Sequence, residues 1–278
     1  MFYHKYSCCE ALQPYVECYF LWESEKALET PLVVESPPNG FCSMVFNYGD
    51  PYTLKNSKHE KLQVPRQFVS GQSIYSYSLT LVGRIGICGI VFKPAALATL
   101  YHLPMYELVE ERMPLSRFMP EEKTDRLMQE ILAADEPGKI KLLEKMLLDD
   151  LKRLQPQPDF IDQAANFIVA QQGMLQVAGL VKESHMSRRT FERRFFEKVG
   201  LSPKYFARIR RISHICSLIA GKKKVDWPQV FYECDFYDQA HFIKDFEAFT
   251  GRSPQQYLKE NAELANFLSA ERPDAKLQ

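Results

Sequence analysis

A stretch of 17 residues occurs twice in the sequence, 51 positions apart, with its internal pattern preserved. Residues 190–206 read TFERRFFEKVGLSPKYF, and residues 241–257 read HFIKDFEAFTGRSPQQY. Both copies keep two Phe residues four positions apart, followed by Gly, Ser and Pro. Phe residues at i and i+4 share one helix face, Gly ends a helix, and Ser-Pro begins the next. The chain is therefore predicted to build the same helix-to-helix corner twice.

Each corner is preceded by a shorter apolar segment, and the combination has the order of a helix-turn-helix motif. In the first copy, the segment 175–184 is followed by a turn at His185 and by Ser187, the predicted N-cap. In the second copy, the turn falls at Asp235 and the N-cap at Asp238. The second helix of such a motif enters the major groove of DNA. The C-terminal part of the chain is therefore predicted to be all-α, with two of these motifs.

The exposed residues at the start of the second helix in the first motif are candidate DNA contacts. Arg188 and Arg189 are the predicted base readers, because Arg can donate two hydrogen bonds to guanine. Arg193 is a base reader or a phosphate anchor. Glu192 accepts from cytosine or pairs with a neighbouring Arg, and the sequence favours neither alternative.

In the second motif the candidate contacts are Gln239, His241 and Lys244. Gln239 suits adenine, and His241 suits a base edge or a phosphate. The net charge of the 278-residue chain is zero, but residues 182–224 carry 13 Lys or Arg against 3 Asp or Glu, and residues 225–278 carry 5 against 10. Because DNA attracts basic surfaces, the first motif is predicted to supply most of the affinity.

One helix over 203–220 is predicted to join the two motifs. Its length of about 27 Å approaches the spacing of about 34 Å between successive major grooves. Arg208, Arg210 and Arg211 on this helix, and residues 222–224 after it, are predicted to contact phosphate or to face solvent. One chain then presents two reading heads, as a symmetric dimer does with two chains.

The first 154 residues are predicted to be β-rich. Short runs of β-branched and aromatic residues alternate with Pro, Gly, Asn and Asp, which favours a barrel or a sandwich. From Pro94 the pattern is helical, and apolar residues between Ile140 and Leu154 form one stripe that packs on its own β-rich domain or forms a dimer seam. No ligand site is predicted. Five aromatic residues are candidates for a pocket wall or for the core: Trp22, Phe46, Tyr48, Phe92 and Tyr101.

The predicted organisation is an α+β chain of two domains. Residues 1–154 form the β-rich sensor or dimerisation domain with flanking helices, and residues 159–278 form the domain with both helix-turn-helix motifs. Residues 155–158 are the predicted linker, because Pro156 and Pro158 disfavour helix at the residues before them and stiffen the segment.

Residues 159–260 resemble the DNA-binding domain of the AraC/XylS (arabinose-regulator) family, through MSRRTFERRFFEKVGLSPKYF and FYDQAHFIKDFEAFTGRSPQQYL. LQPYVECYFLW, PPNGFCSMVFNYGD and GIVFKPAALATLYHLP more loosely resemble the β-rich sensor-like domains of such regulators. The resemblance implies a sequence-specific, one-component transcription regulator that binds double-stranded DNA. RNA polymerase, a small-molecule effector and a second copy of the chain are its candidate partners.

The sequence shows no catalytic or cofactor pattern. It has no G-x-S-x-G, P-loop or H-E-x-x-H motif and no C-x-x-C among its seven Cys, so no enzyme, cofactor or metal is expected. One alternative is a repair-type DNA-binding protein with a reactive Cys8, Cys9 or Cys18, and another is a DNA-binding adaptor without a small ligand. The absence of a long apolar run and of a signal-peptide pattern predicts a cytoplasmic protein without a membrane partner.

Overall fold

The computed structural model describes residues 1–260, with ten β-strands and three α-helices in the first 154 residues and seven α-helices after them. Nine of the ten strands in residues 1–260 lie before Pro94, as the breaker pattern predicts. The exception is Arg112–Pro114, which lies in the part predicted to be helical and instead pairs with residues 68–70. The strands are β1 Phe2–Tyr6, β2 Val16–Glu23, β3 Leu28–Ser36, β4 Cys42–Asn47, β5 Thr53–Lys55, β6 Leu62–Gln63, β7 Gln67–Ser70, β8 Tyr77–Gly83, β9 Gly86–Phe92 and β10 Arg112–Pro114.

The strands form two antiparallel sheets that pack face to face. The six-stranded sheet has the order β1-β2-β9-β4-β7-β10, and the four-stranded sheet has the order β3-β8-β5-β6. Phe68 and Ile87 from the large sheet share one buried cluster with Leu54 and Leu81 from the small sheet. Of the two predicted alternatives, the structure shows the sandwich, since the sheets of residues 1–260 do not close into a barrel.

Three helices cover the other face of the large sheet: α1 Ala96–Tyr101, α2 Glu121–Ala133 and α3 Glu136–Leu154. Ile140, Leu143 and Leu147 on α3 are buried in one cluster with Met44 and Ile90 of the sheet. The apolar stripe therefore packs on its own domain, which is the first of the two predicted alternatives. Large sheet, small sheet and helices form three layers.

The C-terminal part consists of helices packed around one core. Phe191, Phe195 and Phe206 are buried in the same cluster as Phe242 and Phe246, so the two motifs share their hydrophobic core. The helices are α4 Phe160–Ala170, α5 Val177–Glu183, α6 Arg188–Val199, α7 Pro203–Ile219, α8 Trp227–Glu233, α9 Gln239–Thr250 and α10 Pro254–Glu260.

The predicted turn and cap residues have the expected geometry in both motifs. The Ser187 side chain accepts from the N–H of Thr190 at 3.2 Å, and the Asp238 side chain accepts from the N–H of His241 at 2.7 Å. His185 and Asp235 adopt left-handed backbone, with φ of 53° and 54°. The double helix-turn-helix prediction is confirmed.

Between the two domains, α3 ends at Leu154 and α4 begins at Phe160. The boundaries at 155–158 stay a prediction, and residues 261–278 of the predicted second domain lie outside the described residues. Among the helices of residues 1–260, none combines the length and apolarity that crossing a bilayer requires.

The β-rich domain contacts both helix-turn-helix motifs. On the side of the first motif, the Tyr106 ring stacks on Phe196 of α6 with ring centres 5.5 Å apart, and the Thr99 hydroxyl donates to Asp162 of α4 at 2.6 Å. On the side of the second, the N–H of Ser76 donates to a carbonyl at the end of α9 at 3.0 Å. These contacts join both motifs to the same sandwich.

Candidate DNA-binding surface

The first candidate surface is the exposed side of α6. Arg188, Arg189 and Arg193 are exposed there, while Phe191 and Phe195 on the opposite side are fully buried. This division follows from the helical repeat, which places residues three and four positions apart on one face. The Ser187 cap fixes where the helix starts and therefore which residues its N-terminal end presents.

Two of these arginines already have partners on α6. The Arg188 Nε donates to Glu192 at 2.8 Å, and the Arg193 Nη1 donates to Glu197 at 2.8 Å. The pairing alternative for Glu192 is thus the one present in the DNA-free chain. Exposed pairs of this kind contribute little to stability, so they can open without a large penalty. Arg189 makes no hydrogen bond or ion pair with any other residue of 1–260.

The second candidate surface is the start of α9. Gln239, His241 and Lys244 are exposed, and the His241 ring packs edge-on against Phe236 with centres 5.6 Å apart. The His241 Nε2 lies 3.8 Å from a carboxylate oxygen of Asp245. Of the side chains at this helix end, Lys244 alone is a permanent cation within the described residues.

Four of the seven candidate residues line one open cleft of about 720 Å³ between the two motifs. Arg188 and Glu192 enter it from α6, and His241 and Lys244 enter it from α9. The other three candidates, which are Arg189, Arg193 and Gln239, are exposed outside its lining. The structure therefore brings the starts of both second helices to a single side of the molecule.

The arginines of α7 serve the structure of the domain. Arg208 pairs with Asp245, and Arg211 donates to the carbonyls of Asp235 at 3.1 Å and Gly173 at 3.2 Å. Both also line the cleft. For Arg210, the prediction of a phosphate contact or solvent exposure is wrong, because its side chain is 7% exposed and points into the β-rich domain. Burial lowers the pKa of its guanidinium to about 10.

Ion pairs tie α6 to the first turn of α4. Arg194 donates to Asp159 at 2.8 Å, and Lys198 contacts Asp162 at 2.5 Å and Asp159 at 3.0 Å. Burial alone raises the pKa of Asp159, but hydrogen bonding and attraction from Lys198 outweigh it and leave the pKa below its usual value. The two carboxylates thereby hold the basic helix at a fixed angle.

The one-residue insertion before α9 has a structural consequence. One residue, Met186, separates the left-handed turn residue His185 from its cap, whereas two residues separate Asp235 from its cap. Phe236 is buried after this turn, and the extra residue, Tyr237, is 95% exposed directly before the Asp238 cap. The insertion is visible in the sequence, whereas the exposure of the Tyr237 side chain is visible only in the structure.

Known families match both halves of the chain. A family model described as a helix-turn-helix domain matches residues 180–260, which contain α6, α7, α8 and α9. The chain carries an AraC-type helix-turn-helix domain. It is a DNA-binding transcription regulator. A model described as a domain of unknown function (DUF6597) matches residues 4–114, which hold nearly all of the two sheets.

Solved structures of ToxT from Vibrio cholerae are similar to this regulator. One at 1.65 Å resolution is 13% identical, with 87% of this chain and 97% of that chain covered and a TM-score of 0.44. An apo ToxT variant has the same identity and coverage with a TM-score of 0.47. A ToxT structure with bound unsaturated fatty acid is 14% identical, with 85% and 96% covered and a TM-score of 0.43. A comparison with curated proteins finds no match.

Proposed function

We propose that this regulator recognises one preferred DNA sequence through two unequal reading heads. The observation that carries the proposal is that the N-terminal ends of α6 and α9 face one cleft while α7 holds them apart. With 17 residues, α7 is about 26 Å long. Each helix can then enter one of two successive major grooves, with the phosphate backbone between the grooves lying along the basic cleft.

The first motif is the main reader in this proposal. Arg189 is assigned to guanine because its guanidinium has no competing partner in residues 1–260. Arg188 and Arg193 exchange their glutamate partners for bases or phosphates on binding. In the second motif Gln239 is assigned to adenine, and His241 and Lys244 are assigned to a base edge or to phosphate.

We also propose that the protein has no catalytic activity. Reactive cysteines are thiolates at neutral pH, whereas burial raises the pKa of both the Cys8 and the Cys9 thiols. Cys18 is partly buried in β2. The repair-type alternative therefore receives no support from the sites it would use.

The remaining partners belong to the same proposal. A one-component regulator carries its sensing and DNA-binding parts in one chain, which fits a β-rich domain that contacts both motifs. RNA polymerase and a second copy of the chain are proposed protein partners. A cytoplasmic location is part of this proposal, because a transcription regulator acts on DNA inside the cell.

Selection of binding sites from random double-stranded DNA tests the proposal. We expect one enriched sequence whose affinity exceeds that of random DNA at least a hundredfold and falls steeply with salt. Arg189→Ala is expected to relax the preference at one base pair, a loss of about 1–3 kcal/mol. Lys222→Ala, at an exposed cation after α7, is the matched control and keeps the preference. Equal affinity for all sequences would overturn the proposal.

A further inference from the structure

A cavity of about 230 Å³ lies between the two sheets of the β-rich domain. Its walls are largely aromatic and apolar. The aromatic side chains that line it are Tyr3, Phe20, Trp22, Phe41, Tyr52, Phe68 and Tyr77. Of the five aromatic residues considered from the sequence, only Trp22 is among them, whereas Phe46 and Phe92 are fully buried core residues.

One cation, Arg112 of β10, lies in this aromatic wall. Its side chain is 9% exposed, and its guanidinium lies 5.1 Å from the centre of the Tyr77 ring. It donates to the carbonyl of Glu111 at 3.0 Å and reaches the Ser73 hydroxyl at 3.5 Å. Among residues 1–260, no carboxylate lies within ion-pair distance of it, and Glu35, which also lines the cavity, pairs with Arg252.

A buried charge without a counter-ion is unfavourable, so the chemistry of this cavity favours an anion from outside the chain. The volume limits the size of that anion. An apolar cavity of about 150 Å³ holds benzene, and drug-sized ligands fill about 300–1,000 Å³. A cavity of about 230 Å³ thus fits one aromatic ring with a short anionic substituent.

We propose that the cavity binds a small aromatic molecule with a single anionic group, which pairs with Arg112, and that its wall transmits occupancy to the second helix-turn-helix motif. The binding step stands on the cavity alone. The transmission step rests on the proposed DNA-binding function.

Occupancy of the cavity is transmitted through the segment 35–41. Residues of this segment line the cavity and also contact the helical domain. Asn39 and Phe41 line the cavity, and both touch Arg210 of α7. The Arg210 guanidinium donates to the Asn39 carbonyl and lies 4.5 Å from the centre of the Phe41 ring. Glu35 lines the cavity and pairs with Arg252, directly after α9.

The opposite wall makes a second connection to the same motif. Ser73 and Tyr77 line the cavity, and between them Tyr75 and Ser76 contact Phe249 at the end of α9. By contrast, the residues that hold the first motif, such as Tyr106, lie outside the cavity lining. A ligand that moves either wall therefore acts most directly on the end of α9, which one wall reaches through Arg252 and the other through Phe249.

Binding can be measured with the tryptophan in the wall. The chain has two Trp residues, so Trp227→Phe leaves Trp22 as the only reporter. With trans-cinnamate we expect saturable quenching with a dissociation constant of about 1 mM or lower, and at least tenfold weaker binding of the neutral isostere cinnamyl alcohol. A flat titration with both cinnamate and benzoate, or equal affinity for cinnamate and the alcohol, would overturn the site.

Variants of Arg112 test its assigned role. Arg112→Gln is expected to lose the preference for cinnamate over cinnamyl alcohol. Arg112→Lys keeps the positive charge and is expected to retain the preference, so the pair of variants distinguishes loss of the charge from loss of the fold. Arg117→Gln removes a nearby exposed cation and serves as the control. A full preference for cinnamate in Arg112→Gln would contradict the assignment.

Transmission is tested by footprinting the full chain on its selected DNA with and without cinnamate. We expect the protection at the second half-site to change at least threefold, while the first half-site stays constant. Gly40→Ala should bind cinnamate and lose this effect, because an added Cβ would come within 2.8 Å of Arg210 Cδ and displace the contact. Unchanged protection at saturating cinnamate would overturn the transmission step. Cinnamate binding in a protein without sequence preference would instead refute the proposed function and leave the site intact.

Discussion

Arg208 of α7 reaches both carboxylate oxygens of Asp245 on α9, with its Nε at 3.1 Å and its Nη2 at 2.7 Å. Asp245 is almost fully buried, and the Arg208 guanidinium also packs against the Phe249 ring at 5.2 Å. This two-pronged pair raises the pKa of Arg208 through its hydrogen bonds to Asp245 and fixes the orientation of the second reading helix on the connecting helix.

Asp245→Asn is expected to weaken the second reading head more than the first. The change leaves Arg208 without its anion, and removal of one partner of a hydrogen-bonded charge pair is expected to lower the free energy of unfolding by about 1–3 kcal/mol. Affinity for the complete site falls, while affinity for a first half-site oligonucleotide stays constant. Titration of both DNAs measures this. Glu247→Gln, at an exposed acid of the same helix, is the control, and equal losses on the two DNAs would refute the assignment.

Tyr237→Ala is expected to reduce affinity for the selected DNA several-fold without changing the free energy of unfolding. The side chain is 95% exposed, so its removal disturbs no packing. Its position before the Asp238 cap directs it to the DNA that α9 meets, where a Tyr hydroxyl can donate to phosphate. Tyr232→Ala, which removes the exposed aromatic residue of α8, is the comparison. An affinity for DNA equal to that of the unmodified chain would leave Tyr237 without a role in binding.

The repeated corner offers a matched pair of glycine substitutions. Gly200 and Gly251 end α6 and α9 with φ of 87° and 72°. Within residues 1–260, a Cβ at Gly251 meets no atom within 4 Å, whereas a Cβ at Gly200 lies 2.6 Å from the carbonyl oxygen of Met105 in the β-rich domain. Gly251→Ala should therefore show only the left-handed backbone penalty of about 1–2 kcal/mol, and Gly200→Ala a larger loss. Urea denaturation of both variants checks this, and the reverse order would contradict the interface at α6.

The low pKa of Asp159 predicts that the ion pairs between α6 and the start of α4 depend on pH. Its pKa lies below its usual value because Lys198 stabilises the carboxylate, so the unfolded chain binds more protons at acid pH. Stability that is present at neutral pH is therefore lost as the pH falls through the folded pKa. Asp159→Asn keeps an N-cap acceptor and removes the charge.

We expect this variant to be less stable than the unmodified chain at neutral pH and to lose less stability between about pH 5 and about pH 3. Denaturant unfolding across that range is the measurement. Asp149→Asn, at an exposed acid on α3, should behave like the unmodified chain. If the free energy of unfolding fell by the same amount with pH in Asp159→Asn and in the unmodified chain, the Asp159 carboxylate would not stabilise the contact between α6 and α4.

The parts of the fold that depend on neighbouring residues could be predicted from the sequence. The caps at Ser187 and Asp238 and the turns at His185 and Asp235 follow from local backbone chemistry, and all have the expected geometry. The seven candidate contact residues follow from helical periodicity, which places them outside; whether they touch DNA stays a prediction.

Contacts between distant segments could not be predicted. Arg210 looked like one more cation on a basic helix, but its partner Asn39 lies 171 positions away. Nothing near Arg210 in the sequence indicates that partner. The same holds for Arg112. Whether a carboxylate of residues 1–260 lies near its guanidinium depends on which strands of the two sheets surround it. Burial of a charge is decided by tertiary packing, and a single sequence has no local signal for it.

Hydroxyl-radical footprinting of the full chain on its selected DNA tests the unequal double reader most directly. The account predicts two protected segments on one face, about 10–10.5 base pairs apart. It also predicts that Arg189→Ala raises the protein concentration needed to protect both segments, in line with its loss of about 1–3 kcal/mol, while Asp245→Asn weakens protection only in the second. A single protected segment, or the same uniform pattern on unrelated DNA, would contradict it.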